Sequence, residues 1–211
     1  MNEINYRGIN FIPEVNKRNT FLDIVKDTPV ANCFINAAKR IHDEKNKARD
    51  GYDMSRCGKL RKSSKHAEEL EEDDLFFGLL GELMVTHEYG LDECWLKEQR
   101  KQVEKIKRCG IFDITDIGKT QIRTSCYVER MKLISIIVRP KDFQSKAGQP
   151  IIGCVYYPQK KSIKICGWTT LQEIRTRPTQ FGSFGGDGTM AFYVAPYDLN
   201  PMPTFDEKFL C

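Results

Sequence analysis

Apolar residues in the first half of the chain recur at helical spacing, and those in the second half fall in short runs. Residues 1–29 are mixed, with Pro13 and Pro29 as punctuation. From Val30 to Ala48, the positions Ala31, Phe34, Ile35, Ala38 and Ile41 predict a helix. Gly51 to Ser64 is polar, basic and glycine-containing, which predicts a loop or linker. A long helix is expected from about Ser64 to Tyr89, opening with acids, as its positive end prefers, and closing at Gly90. A second, charged helical stretch covers 93–108. The character then changes. Ile111–Ile114, Thr120–Cys126, Leu133–Val138, Ile151–Tyr157 and Ser162–Trp168 are β-prone runs separated by turn signals. A short helix is expected over 169–176, a glycine-rich surface loop over 177–189, and a last strand over Met190–Ala195 before a proline-rich tail. Helices followed by consecutive strands predict an α/β fold, a central mixed sheet covered by the preceding helices.

Composition adds bounds. The chain has 211 residues, 40% hydrophobic and 29% charged, enough for one domain with a sizeable core or a core plus an appendage. No run approaches the roughly 20 apolar residues that span a bilayer, and no leader pattern opens the chain. An intracellular protein without a membrane partner is therefore expected. The eight cysteines show no Cys-x-x-Cys pair and no zinc spacing with histidine, so most are expected to be reduced core residues. Net charge is only +4, yet basic residues cluster. Arg56, Lys59, Arg61, Lys62 and Lys65 stand without an acid, and 97–108 is similarly basic. Such stretches are either solvated faces or phosphate-facing patches.

Two features carry chemistry. At about 100° per residue, Leu75, Leu79, Glu82, Thr86 and Tyr89 share one helical stripe, so Glu82 points where the helix is otherwise apolar. A lone carboxylate there is costly unless it is paired with a lysine or bound to a cation. Gly78 and Gly81 beside it suggest close approach to a strand. The second feature is Asp113-Ile-Thr-Asp116-Ile-Gly118-Lys-Thr-Gln121-Ile-Arg123-Thr-Ser125. In a strand Gln121, Arg123 and Ser125 project together, opposite to Ile122, Thr124 and Cys126. A turn at Gly118 would bring Asp116 back beside Gln121, converging an acid, a neutral oxygen and a cation. Hard divalent cations such as Mg²⁺ take such oxygen ligands.

Gly78-Leu-Leu-Gly81-Glu82 followed by Asp116-Ile-Gly118-x-x-Gln121-Ile-Arg123-Thr resembles the core of the PD-(D/E)XK nuclease superfamily, particularly small phage-type members. The similarity continues through Leu133–Asp142, Ile165–Trp168 and Ala191–Pro196, spanning about residues 66–203. It implies a restriction-endonuclease-like sheet with a divalent metal at one edge, over residues 66–211, preceded by a helical extension and basic linker over 1–65. It further implies Asp116 as principal metal ligand, Gln121 as second, and Glu82 as the helix-borne acid that completes the shell. Arg123 would stand where lysine is usual. Asp113 competes with Asp116, which the Asp-Ile-Gly-x-x-Gln spacing favours. Two departures matter: Gln121 removes a negative charge, and Arg123 stays protonated, clamping a phosphate without accepting a proton from water. Lys119 or Lys141 would then supply an ammonium.

The implied activity is Mg²⁺- or Mn²⁺-dependent hydrolysis of DNA in the cytoplasm, including that of a phage-infected host. Arg56, Lys59, Arg61, Lys62, Lys119, Arg139 and Lys141 would hold phosphates. The rival is a nuclease-fold module that binds nucleic acid or a protein without efficient cutting. Residues 1–65 would serve homodimerisation or target reading. Trp168 reads as a core or sheet-edge aromatic. Gly182 to Gly188 lacks the ending of a phosphate-binding loop.

Overall fold

The computed structural model describes residues 4–6, 9–11, 28–30, 32–50, 74–109, 116–127, 134–140, 148–177, 179–184 and 189–210. Within them three long helices fall where the apolar spacing predicts: α1 (Asn32–Asp50), α2 (Asp74–Glu88) and α3 (Asp92–Cys109). The linker over 51–63 and the expected first turns of α2, 64–73, lie outside the described residues. From Phe76 to Thr86, α2 is buried at every position but Gly78. A helix apolar on all sides must be covered on all sides. Here a sheet covers one side while α1 and α3 cover the others. α3 is amphipathic, turning Trp95, Gln99, Gln102, Val103 and Ile106 inward.

The strands are β1 (Ile4–Tyr6), β2 (Ile9–Phe11), β3 (Thr28–Pro29), β4 (Asp116–Ile117), β5 (Thr120–Cys126), β6 (Ile136–Val138), β7 (Pro150–Tyr157), β8 (Ser162–Thr170), β9 (Gln180–Phe184) and β10 (Thr189–Val194). A short helix, α4 (Leu171–Thr176), follows β8, and its capping box between Thr170 and Glu173 fixes where it begins. Five strands form a mixed sheet in the order β3-β8-β7-β5-β4, parallel only between β5 and β7. A separate antiparallel sheet runs β6-β10-β9, and β1 pairs with β2. The protein is thus mixed α/β.

Alternation divides the large sheet between two cores. Ile122, Ile152, Cys154 and Ile163 pack with the helices. Ile151, Val155 and Cys166 pack with Ile136, Val138 and Val194 of the smaller sheet and with α4. Val30, Ile35, Ala38 and Ile41 belong to the helix-side core with Leu79 and Leu80, so α1 shares its core with the motif-bearing helix. The Leu199–Asn200 segment pairs antiparallel with the outer edge of β8, where Trp168 and Asn200 exchange two backbone hydrogen bonds (2.9 and 2.7 Å). Gly167, at φ +148°, is needed there, because a Cβ would stand 2.4 Å from the Asn200 carbonyl oxygen.

Three expectations change. The glycine-rich run expected to be a loop over 177–189 contains β9, whose Phe181 stacks on Phe192 of β10 with ring centroids 4.6 Å apart. Cross-strand aromatic pairing outweighs the low β-propensity of Gly182. The strand expected over Leu133–Val138 shortens to Ile136–Val138, and the run Ile111–Ile114 lies outside the described residues. Of the described cysteines only Cys154 and Cys166 are buried, while Cys33 and Cys94 are exposed on helix surfaces. Trp168 is structural, as expected: its indole N–H donates to Thr204 Oγ1 at 2.9 Å and its ring meets Phe205 edge-on.

Candidate functional site

The helix-borne half of the site is set by one close approach. Gly81 lies against β5 so tightly that a Cβ would stand 1.8 Å from Thr124 Oγ1. Gly78, expected to serve the same purpose, has open space around its Cα. With Gly81 on the sheet, the next residue, Glu82, turns toward α3 and α1. Its side chain is 6% exposed, and Gln99 Nε2 donates to its Oε2 at 2.7 Å. Lys45 of α1, only 2% exposed, lies within electrostatic range. Thr86, one turn on, is satisfied locally by the Glu82 and Leu83 carbonyls.

Burial dominates the electrostatics of this cluster. It pushes the Glu82 carboxyl from 4.5 up to about 7, against the opposing pull of the Lys45 charge, the Gln99 hydrogen bond, the Trp95 indole N–H and the Arg123 charge. Burial likewise lowers the pKa of Lys45, against the carboxylates of Glu82 and Glu98. The Trp95 N–H stands close enough to act on Glu82 without a hydrogen bond of normal geometry. Gln99 Oε1 and Gln102 Oε1 are also buried without a hydrogen-bond partner. Orphaned acceptors of this kind each cost about 1–3 kcal/mol, so this is an expensive interior.

The strand-borne half rests on the β4–β5 hairpin. Gly118 turns the chain at φ +60°, and the register sets Asp116 directly opposite Gln121. The C-terminal turn pins this hairpin, since Lys119 N and Thr120 Oγ1 both donate to the Phe209 carbonyl. Gln121 is buried, and Arg123 Nη2 donates to its Oε1 at 3.0 Å. Because Thr124 faces α2 and Ser125 Oγ donates to the Ser135 carbonyl on the other side, Gln121 and Arg123 belong to the sheet face away from the helices. The long arginine nevertheless brings its charge into the neighbourhood of Glu82. Among the described residues β4 covers β5 only at Thr120 and Gln121.

Gln121 and Arg123 are therefore in contact, Glu82 is coupled to Arg123 through charge, and Asp116 lies across the ladder from Gln121, but Glu82 on the helix side and Gln121 on the opposite face of the sheet do not converge as the expected metal shell would need. The Asp116 side chain lies outside what is described, as do Asp113, Lys141, Arg56, Lys59, Arg61 and Lys62. Lys119 is exposed on the hairpin turn and Arg139 half-buried after β6. Oxygen donors are present on both faces of the sheet, the Glu82 carboxylate and the orphaned Gln99 Oε1 on the helix side and the Gln121 amide on the other, and they do not gather at one point. Among the described residues, no three Asp, Glu, His or Cys side chains gather as a metal site would require.

Lys45, Trp95 and Gln99 were not among the expected site residues. Their signal was available. Lys45 continues the stripe Ala38, Ile41, Ala48, and Gln99 and Gln102 interrupt the stripe Trp95, Val103, Ile106. A polar residue on an apolar stripe is the same anomaly that singled out Glu82. No family model, curated protein or solved structure matches the chain. No helix among the described residues is long and apolar enough to cross a membrane.

Proposed function

We propose that the chain is a divalent-metal-dependent deoxyribonuclease of PD-(D/E)XK type, with a restriction-endonuclease-like core, acting on DNA inside the cell. The observation that carries the reading is the pairing across the β4–β5 hairpin. Asp116 stands opposite Gln121, and Gln121 is held by Arg123, whose charge also reaches the helix-borne Glu82. Asp116 and Gln121, paired across the hairpin, would hold a Mg²⁺ or Mn²⁺ ion, which when bound would supply an activated water and polarise the phosphate.

The remaining work falls to the protein. Attack of water on phosphorus breaks one P–O bond to a sugar oxygen, which leaves carrying a proton. Negative charge grows on the non-bridging oxygens as this occurs. The Arg123 guanidinium meets that charge with donors in a fixed fork. Because arginine stays protonated, it does not accept the water's proton. Gln121, by accepting one arginine N–H, fixes the direction of the fork.

A second reading has its own observation. Glu82 already has Gln99 and Lys45, and Gln121 already has Arg123, so two of the three expected ligands are served from within the protein. That arrangement suits a nuclease-like module that binds nucleic acid or a protein without cutting.

Plasmid and single-stranded DNA incubated with Mg²⁺, Mn²⁺ or EDTA separate the two. The nuclease reading expects metal-dependent cutting that falls at least about 100-fold in folded Asp116→Ala, the range of a lost metal-ligating or charge-stabilising group. DNA binding in EDTA with no cutting under any condition supports the module instead. Neither binding nor cutting at low salt overturns both nucleic-acid readings.

A further inference from the structure

Past the last strand the sequence reads as a proline-rich tail, yet residues 205–210 are built into the core. Phe205 and Leu210, 8% and 1% exposed, share the helix-side core with Ile117 of β4 and Ile122 of β5. The Phe205 ring centroid lies 6.2 Å from that of Tyr89, just past α2, and 5.9 Å from that of Trp168 on β8. A single 3₁₀ turn, Glu207–Leu210, follows Phe205 and presents the Phe209 carbonyl to the β4–β5 hairpin. That oxygen accepts twice, from Lys119 N at 2.7 Å and from Thr120 Oγ1 at 3.0 Å.

The hairpin has little to hold it by itself. Among the described residues its ladder is two pairs, Asp116 with Gln121 and Ile117 with Thr120. Even longer two-stranded hairpins are marginal in water. The sheet fixes β5, which aligns with β7 from Gln121 to Cys126. β4 instead depends on the burial of Ile117 and on whatever grips the turn. Apolar burial is not directional, whereas a hydrogen bond is. Thr120 is fully buried, so its hydroxyl needs an acceptor, and the Phe209 carbonyl supplies it.

We propose that residues 205–210 form a strap that positions the candidate centre, with Thr120 as the positioning residue. Through Thr120 and Lys119, the Phe209 carbonyl fixes the hairpin turn, and with it where the Asp116 backbone stands relative to Gln121. The consequence for cutting rests on the metal-dependent reading given above; the strap does not. The centre then depends on a segment that contributes no group to its chemistry.

The test uses the full chain as wild type, Thr120→Val, Thr120→Ser and Leu210→Val. Valine keeps the shape and loses the hydroxyl; serine keeps the hydroxyl and loses a methyl. Each is followed by thermal unfolding, by the backbone amide NMR signals of Asp116 and Gln121, and by DNA cutting with Mg²⁺. Both Thr120 variants should lower Tm by a few degrees. Only Thr120→Val should displace the Asp116 and Gln121 signals, and only it should lower kcat, at least about tenfold with KM unchanged. Leu210→Val shortens the anchor by one carbon without touching the hairpin, and should move the same signals.

Should Thr120→Val fail to fold, displaced Asp116 and Gln121 signals in Leu210→Val would carry the strap. Signals that stay in place in both Thr120→Val and Leu210→Val would overturn it, since the hairpin would then hold itself. Equal displacement in Thr120→Val and Thr120→Ser would overturn the role of the hydroxyl. Displaced signals with kcat unchanged would overturn the consequence for cutting. Absence of cutting in the wild type would sink the nuclease reading, and the amide signals would still decide the strap.

Discussion

Glu82 makes stability depend on pH in the direction opposite to most carboxylates. Its folded pKa of about 7 stands above the ordinary 4.5, so between those values the folded chain holds a proton that the unfolded chain has released. The stability it contributes is therefore complete below about pH 4.5 and lost as pH rises through about 7. The span corresponds to about 3 kcal/mol. Urea unfolding at several pH values, wild type against Glu82→Gln, should show the difference between the two falling by that amount from pH 4.5 to 8; a constant difference would mean that folding does not raise the Glu82 pKa. The two glycines beside it make a sharper contrast. Gly81→Ala should destabilise by about 1–3 kcal/mol, since its Cβ collides with Thr124, and Thr124→Ala should relieve part of that. Gly78→Ala meets nothing and should stabilise by roughly 0.5–1 kcal/mol. Helical spacing alone made these glycines look alike. What separates them is which one faces β5, a fact of packing that one turn of helix cannot encode.

Among the secondary-structure elements, strands with strong alternation were legible nearly to the residue, and β5 begins and ends where its β-prone run does. β9 was not, because Gly182 hides a pairing that only Phe192, across the ladder, makes favourable. The hairpin joining β7 to β8 was read only as a turn signal, but it gathers charge on an aromatic base. Tyr157 stacks near Tyr127, with ring centroids 5.1 Å apart, and the Lys160 and Lys164 ammoniums stand over the Tyr157 ring at 5.8 and 5.9 Å. Lys161 completes the tip in a left-handed turn. By alternation Tyr127 shares its strand face with Arg123, and four residues of strand span roughly 13 Å. On the nucleic-acid readings proposed above, this group of lysines would be a place to hold a phosphate backbone. Lys160→Glu combined with Lys161→Glu should weaken DNA binding in EDTA at least about tenfold, leave Tm within a few degrees, and reduce the salt slope by about two. Fluorescence anisotropy at several salt concentrations measures both effects, and an unchanged slope would remove this hairpin from any DNA track.

For the molecule as a whole, the resemblance begins near residue 66, which invites the view that the preceding segment is an appendage. Packing argues otherwise. Val30, Ile35, Ala38 and Ile41 are buried in the same core as Leu79, Leu80 and Ile122. Fully burying a Val or Ile side chain is worth roughly 1.5–3 kcal/mol, so these residues together approach the 5–15 kcal/mol by which a whole domain is stable. β3, which also precedes the motif, covers the outer edge of β8. A chain of residues 66–211 would therefore leave one side of α2 bare and open the β8 edge to intermolecular pairing. Such a chain should keep much of its helical far-UV signal while losing near-UV structure, bind a hydrophobic dye, and be digested by protease at least about tenfold faster than the full chain. Adding a separate peptide spanning residues 28–50 should restore part of the protection. If the shortened chain instead unfolds cooperatively with a Tm near that of the full protein, α1 is dispensable to the core.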